Sequence, residues 1–120
     1  MHPGVRTWQR GTGKSFISVI TLNELRYGMR KVEPRDPVFA GQLAAWHAQI
    51  VARPQTFRIL NVDRLIAELA ADFRAAHGTP FEDSLIAATA KVHNLTLATR
   101  NTADFKDCDI NLVNPWEFGA

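Results

Sequence analysis

The chain has 120 residues, 46% of them hydrophobic and 22% charged, and a formal net charge of +2 at pH 7. These hydrophobic and charged fractions exclude a disordered protein, and the length fits one α/β domain over residues 1–120. Cys108 is the only cysteine, which excludes an intrachain disulfide and a thiolate zinc site, and the weak positive charge does not by itself indicate an anionic partner. No apolar run reaches the roughly 20 residues of a membrane-spanning helix and no secretory signal is evident, so we expect a cytoplasmic protein that does not contact a membrane.

The first half of the chain predicts two strands and two helices. Residues 15–20 (SFISVI) are β-branched and aromatic, which predicts a strand, and TLNELRYGMRKV follows with apolar residues at helical spacing. Residues 36–52 predict a second helix with Pro37 at its first position, and residues 57–61 (FRILN) predict the next strand. The expected apolar face of the second helix comprises Val38, Leu43, Trp46 and Ile50.

The second half continues the alternation. Residues 62–78 predict a helix that ends at Gly78, a typical C′ residue, and residues 79–93 predict another helix. The strings LTLAT and INLVN predict two more strands with a short helix between them. The expected inward residues of the two helices are Leu65, Leu69 and Phe73, then Leu85, Ile86, Thr89 and Val92.

This order of elements predicts a doubly wound α/β fold, in which helices cover both faces of a parallel sheet. Ligands bind such sheets at the carboxyl ends of the strands. The strings TLNEL, PFEDSL and TRNTADF are therefore expected to face one crevice.

The string GTGKS, residues 11–15, is similar to the end of a phosphate-binding P-loop but fails the motif twice. Trp8 stands where the motif needs a glycine, and Ser15 opens a predicted strand instead of a helix. A turn before the strand is the better interpretation, and a small nucleotide-binding module is disfavoured.

Three carboxylates, Glu24, Asp83 and Asp104, lie at expected strand-to-helix junctions or helix starts on the crevice side. Converging carboxylates repel one another unless a cation lies between them, and hard oxygen ligands favour Mg²⁺ or Mn²⁺. A site of this kind hydrolyses phosphodiesters by activating a bound water. Asp104 also fits a solvated loop acid or an N-cap.

Helix capping is a second explanation for two of these positions. Two T-x-x-E strings, residues 21–24 and 79–82, match the capping box, which is expected for helix stability alone. On the pattern alone Glu24 is either a cap or a metal ligand. Glu82 is interpreted as the cap that leaves Asp83 available as a ligand.

Three segments together carry a family resemblance: SVITLNELRYG, TPFEDSLIAATAKVHNLTLATRNTADF and VNPW. In this order they resemble the VapC branch of the PIN-domain family, particularly its FitB-like members, over about residues 15–116. The most specific part is EDSLIAATAKVHNLTLATRNTADF, whereas NELRYG alone is a weak match. The resemblance implies a PIN-like three-layer fold and a toxin ribonuclease that depends on Mg²⁺ or Mn²⁺. It also implies an RNA substrate, a cognate antitoxin as inhibitor and a homodimer.

The resemblance also implies roles for individual residues. Glu24 matches the family's glutamate on the helix after the second strand, Asp83 the acid that opens the IAATA helix, and Asp104 the late acid of the TRN loop. These three are the predicted catalytic residues and metal ligands. The predicted substrate-binding residues are Thr99, Arg100 and Asn101. Within that set, Asn101 would be a neutral oxygen donor, and Arg100 either contacts a phosphate or is a solvated surface residue.

Aromatic and histidine residues outside these motifs are expected to be structural. The aromatic residues expected in the core or an interface are Trp46, Phe73 and Trp116. Three histidines share no metal-ligand spacing and are assigned no chemistry: His47, His77 and His93.

The N-terminus departs from the family pattern. Family members begin with a strand of the type LLDTNV, which lies in the middle of the sheet and carries a central metal-binding aspartate. Here MHPGVRTWQRGTGK resembles instead the helix that follows that strand, so we expect the chain to begin after it and the sheet to lack its central first strand. Such a gap would expose two ladders of backbone donors and acceptors. We therefore expect the full-length gene product to be a nuclease and these 120 residues to be impaired; the alternative is a non-catalytic PIN remnant that binds an antitoxin.

Overall fold

The computed structural model describes residues 7–9, 15–99 and 102–113, which form five strands, four α-helices and one 3-10 helix. The strands are β1 (Thr7–Gln9), β2 (Ser15–Ser18), β3 (Phe57–Leu60), β4 (Thr96–Ala98) and β5 (Leu112–Val113). The helices are α1 (Val19–Val32), α2 (Pro37–Ala52), α3 (Arg64–His77) and α4 (Phe81–Val92), and the 3-10 helix is Thr102–Cys108. The predicted alternation of strands and helices is confirmed.

The strands form one sheet in the order β3-β2-β1-β4-β5. β2 pairs with β3, and β4 with β5, in parallel, whereas β1 is antiparallel to both of its neighbours. Strands β2 to β5 therefore all run in one direction and end at the same edge of the sheet. The α/β fold is confirmed, and the sheet is mixed at β1 instead of wholly parallel.

The centre of the sheet is occupied by β1, where a gap was expected. Trp8 pairs with Phe16 on one side and with Leu97 on the other. The helical interpretation of the first residues is therefore wrong for residues 7–9. The backbone groups of β2 and β4 need partners, and a short β-forming segment supplies them. Only five residues connect β1 to β2, which is enough for an antiparallel return but too few for a parallel crossover.

Local sequence signals set the bounds of the middle helices. The carboxylate of Asp36 accepts a hydrogen bond from the amide of Phe39 at 3.0 Å, and Asp63 accepts one from Ile66 at 2.9 Å. Each acid thereby satisfies one of the amides that a helix start leaves without an intrahelical partner. At the end of α3, Gly78 adopts a left-handed conformation with φ of 66°, as its predicted C′ role requires.

Two apolar clusters hold the helices on the sheet. The larger one joins α3, α4 and the 3-10 helix, and the smaller one joins α1 and α2 around Ile17 and Ile50. Trp46 and Phe73 lie in or against these clusters as expected, while Trp116 lies outside the described residues. None of the helices in the described part of the chain is long and apolar enough to cross a membrane.

The predicted inward faces are correct in part. Val38 and Leu65 are 72% and 58% exposed, so both assignments are wrong. Ile66, which follows Leu65, is fully buried instead, because the contact between α3 and α4 selects a face about 100° around the helix from the predicted one. Helix α4 shows the opposite behaviour, since every residue from 83 to 90 is buried. It therefore runs through the middle of the molecule and carries Asp83 with it.

Candidate active site

The candidate site lies at the carboxyl edge of the sheet. β2 ends at Ser18 and leads directly into α1, and β4 ends at Ala98 before the buried Thr99. Helix α4 begins at this same edge because it leads back to the amino end of β4. α1 packs against α4, and α4 packs against the 3-10 helix. The described residues of the three segments predicted to face one crevice thus lie on or beside elements that contact one another in series.

Glu24 lies in the second turn of α1 and does not cap it. The helix begins at Val19, and the hydroxyl of Ser18 accepts the capping hydrogen bond from the amide of Ile20 at 3.0 Å. Thr21 is therefore already inside the helix, and the capping-box interpretation of residues 21–24 is wrong. Glu24 is half-buried and its Oε1 atom is removed from solvent. Of its two predicted roles, that of a cap is therefore wrong, and that of a metal ligand stays a prediction.

Asp83 lies in the first turn of α4 and is only 7% exposed. The second T-x-x-E string does not form a capping box either, because the N-cap residue is Pro80 and no side-chain hydrogen bond caps the helix within the described chain. The hydroxyl of Thr79 instead donates to the carbonyl of Phe73 at 3.4 Å and lies 3.8 Å from the Cys108 sulfur. An acid in the first turn interacts favourably with the positive end of the α4 dipole.

Cys108 lies beneath the start of α4 and is 1% exposed. Burial raises the pKa of its thiol, the hydrogen bond with Thr79 lowers it, and the charges of Asp107 and Asp83 raise it further. The thiol is therefore neutral near pH 7, and Asp83 is close enough for its charge to act on the sulfur.

The late acid, Asp104, differs from the other two in its surroundings. It is exposed in the first turn of the 3-10 helix, while the neighbouring Phe105 is fully buried and anchors that turn. Among the residues that the structure describes, no three His, Cys, Asp or Glu side chains stand together in a way that could hold a metal ion. The set of three carboxylates thus stays a prediction. Arg100 and Asn101 lie outside the described residues. Their substrate-binding roles therefore stay predictions.

The donor chemistry of Glu24 and Asp83 nevertheless fits a hard divalent cation. Both are carboxylates on helices that contact each other, and both are withdrawn from solvent. Carboxylates in such places are stabilised by a nearby positive charge, and oxygen donors are the ligands that Mg²⁺ and Mn²⁺ prefer. Glu24 and Asp83 could therefore contribute oxygen ligands to such an ion.

A cavity of about 350 Å³ opens beside Glu24 and is lined by Asn23, Glu24, Tyr27 and Glu82. It brings Glu82 next to Glu24, although the sequence suggested only a capping role for Glu82. The spacing of Asn23, Glu24 and Tyr27 already indicates one face of a helix. The approach of Glu82 depends on the packing of α4 on α1, for which the sequence carries no local signal.

The sequence of residues 2–111 matches the model of the family described as PIN domain. The chain belongs to the PIN domain family. It is 33% identical over 120 residues to toxin FitB of Neisseria gonorrhoeae, covering 84% of this chain and 75% of that protein. It is 30% identical over 105 residues to VapC ribonuclease Y4jK of Sinorhizobium fredii, covering 85% of this chain and 75% of that protein. The crystal structure of FitAcB from N. gonorrhoeae is similar with a TM-score of 0.65 and 32% identity, over 86% of this chain and 76% of that one.

The predicted resemblance to FitB-like and VapC-type PIN proteins is thereby confirmed, and so is the PIN-like fold. The similarity covers the segments that carry Glu24, Asp83 and Asp104.

Proposed function

We propose that the chain is the toxin of a type II toxin–antitoxin system and acts as a metal-dependent endoribonuclease. Membership of the PIN domain family and the similarity to a named toxin and a named ribonuclease support this proposal. The observation that carries it is the pair Glu24 and Asp83, a half-buried and a buried carboxylate at the carboxyl edge of the sheet, neither of which caps a helix.

In this proposal Glu24, Asp83 and Asp104 are the catalytic residues and would hold Mg²⁺ or Mn²⁺. A bound ion of this kind neutralises charge on a phosphodiester and lowers the pKa of a water ligand. Glu24 and Asp83 approach from two different helices, so their positions are set by the packing of α1 on α4. Asp104 is exposed to solvent on the 3-10 helix.

The proposed substrate-binding residues follow β4 in the sequence. Thr99 is buried, and Arg100 would contact an RNA phosphate. Asn101 would add a neutral oxygen donor. The proposed partners are an RNA substrate, a cognate antitoxin and a second copy of the chain.

A second candidate function is a non-catalytic PIN protein that binds an antitoxin. It is favoured by one observation, that the described residues bring no three potential ligands together. The two functions differ in whether RNA is cleaved at all.

The deciding experiment is an RNA cleavage assay with the purified chain in Mn²⁺, with and without EDTA. The matched variants are Asp83→Asn and Asp72→Asn, which make the same change at the buried position and at an exposed one on α3. We expect slow cleavage, because the D-T-N string of the family's first strand is absent from residues 1–120. EDTA is expected to abolish this cleavage, Asp83→Asn to lower it by at least about 100-fold, and Asp72→Asn to leave it unchanged.

Circular dichroism is expected to show that both variants fold. Robust cleavage that is lost in Asp83→Asn would contradict the expectation that these 120 residues are impaired. RNA cleavage no faster in the parent chain than in Asp83→Asn would refute the nuclease function and favour the antitoxin-binding alternative.

A further inference from the structure

Two exposed aromatic side chains belong to α1 and α4, the two helices that line the cavity beside Glu24 and Glu82. Tyr27 lines the cavity and is 62% exposed, and Phe81, which precedes Glu82, is 60% exposed. A single exposed aromatic residue needs no explanation, since much of any protein surface is apolar. Two exposed rings on the two helices that line one polar cavity are informative, because neither ring packs in the core.

A positively charged side chain lies beside each of these rings. The Lys31 ammonium lies 5.4 Å from the centre of the Tyr27 ring and donates a hydrogen bond of 3.0 Å to its hydroxyl. The Arg74 guanidinium lies 5.1 Å from the centre of the Phe81 ring. The two pairs therefore present the same combination, a flat apolar ring with a positive charge beside it.

This combination matches the repeating unit of a single-stranded nucleic acid. Unpaired bases stack on aromatic side chains, and the adjoining phosphates bind lysine and arginine. From these contacts we propose that Tyr27 and Phe81 are stacking platforms for bases of single-stranded RNA, with Lys31 and Arg74 as the phosphate contacts. The inference rests on the proposed ribonuclease function, because it assigns the path by which the substrate reaches the carboxylates.

An apolar peptide helix would fit this surface less well. Such a partner needs a continuous apolar stripe at helical spacing, and the residues one turn before and after Tyr27 on α1 are Asn23 and Lys31. Two separate rings with intervening polar groups favour bases joined by a charged backbone.

The test measures binding of a fluorescein-labelled single-stranded RNA 12-mer by fluorescence anisotropy in EDTA, so that cleavage does not interfere. Tyr27→Ala and Phe81→Ala are each expected to raise Kd roughly 5- to 150-fold, which corresponds to about 1–3 kcal/mol for one stacked base. Tyr27→Phe keeps the ring and is expected to bind within about 3-fold of the parent chain. Phe39→Ala removes a partly exposed ring from α2, away from the cavity, and is the matched control with unchanged Kd.

An RNA 12-mer with abasic sites removes the bases and keeps the phosphates. If the rings stack on bases, Tyr27→Ala and the parent chain bind this probe with the same Kd. Equal affinity of Tyr27→Ala and the parent chain for the normal RNA would overturn the inference and assign the two rings to a protein partner.

Cleavage in Mn²⁺ separates this inference from the proposed function. Tyr27→Ala is expected to raise KM more than it lowers kcat, because stacking stabilises the bound substrate and the transition state equally. If the parent chain is active and Tyr27→Ala has an unchanged KM, the stacking inference is refuted and the nuclease function is not. Absence of cleavage by the parent chain refutes the nuclease function, and the anisotropy result still decides whether the rings bind RNA.

Discussion

Replacing Thr21 with valine tests whether a buried hydroxyl beside the candidate site opposes folding. Thr21 is 1% exposed, and its Oγ1 atom is buried with no hydrogen-bond partner among the described residues. A buried polar group in this state costs about 1–3 kcal/mol. Valine has the same branched shape and brings no polar atom, so Thr21→Val is expected to raise the free energy of unfolding by a similar amount.

The expected change in melting temperature follows from the length of the chain. At about 2.1 cal/mol/K per residue, 120 residues give an unfolding entropy of about 0.25 kcal/mol/K. A gain of 1–3 kcal/mol then corresponds to a rise of about 4–12 °C. Scanning calorimetry at neutral pH and a urea titration measure the two quantities independently.

Thr89→Val is the matched control, because Thr89 is also fully buried but its hydroxyl donates a hydrogen bond of 2.7 Å to the carbonyl of Leu85. The same substitution there removes a bond with a net contribution of about 0.5–1.5 kcal/mol, so the melting temperature is expected to fall. If Thr21→Val is no more stable than the parent chain, its hydroxyl has a partner in the folded protein and the reasoning is refuted.

Two further predictions concern the end of α3 and the buried thiol. Gly78→Ala is expected to destabilise the protein by about 1 kcal/mol, because φ at this position is 66° although the space around it is open. Gly41→Ala, inside α2 and equally open, is expected to stabilise the protein by about the same amount. Equal shifts of the urea midpoints of the two variants would contradict this prediction. Burial raises the pKa of the Cys108 thiol, so the thiol stays protonated in the folded state. Its contribution to stability is complete below the unfolded pKa of about 8.5. This contribution is lost as the pH rises toward the folded pKa. Urea midpoints of the parent chain between pH 7.5 and 9.5 are expected to fall more steeply than those of Cys108→Ala, and parallel curves would exclude this linkage.

The sequence by itself determined the features that depend on neighbours within a few residues. Pro37 and Gly78 mark the predicted start of α2 and end of α3, because a first-turn proline and a left-handed C-terminal residue involve one turn of backbone. The alternation of β-branched runs with helical spacing predicted the α/β fold for the same reason. The motifs around Glu24, Asp83 and Asp104 gave the family, which the match over residues 2–111 confirms.

Tertiary structure alone decided which of the competing local signals prevailed. Ser18 takes the cap that residues 21–24 also matched, and Thr79 turns toward Cys108 instead of capping α4. Residues 7–9 pair as the central strand because β2 and β4 both need partners there. The cavity that joins Glu24 to Glu82 exists only because α1 packs on α4. Each of these outcomes depends on groups that are distant along the chain and compete for the same buried space, so no local pattern could predict it.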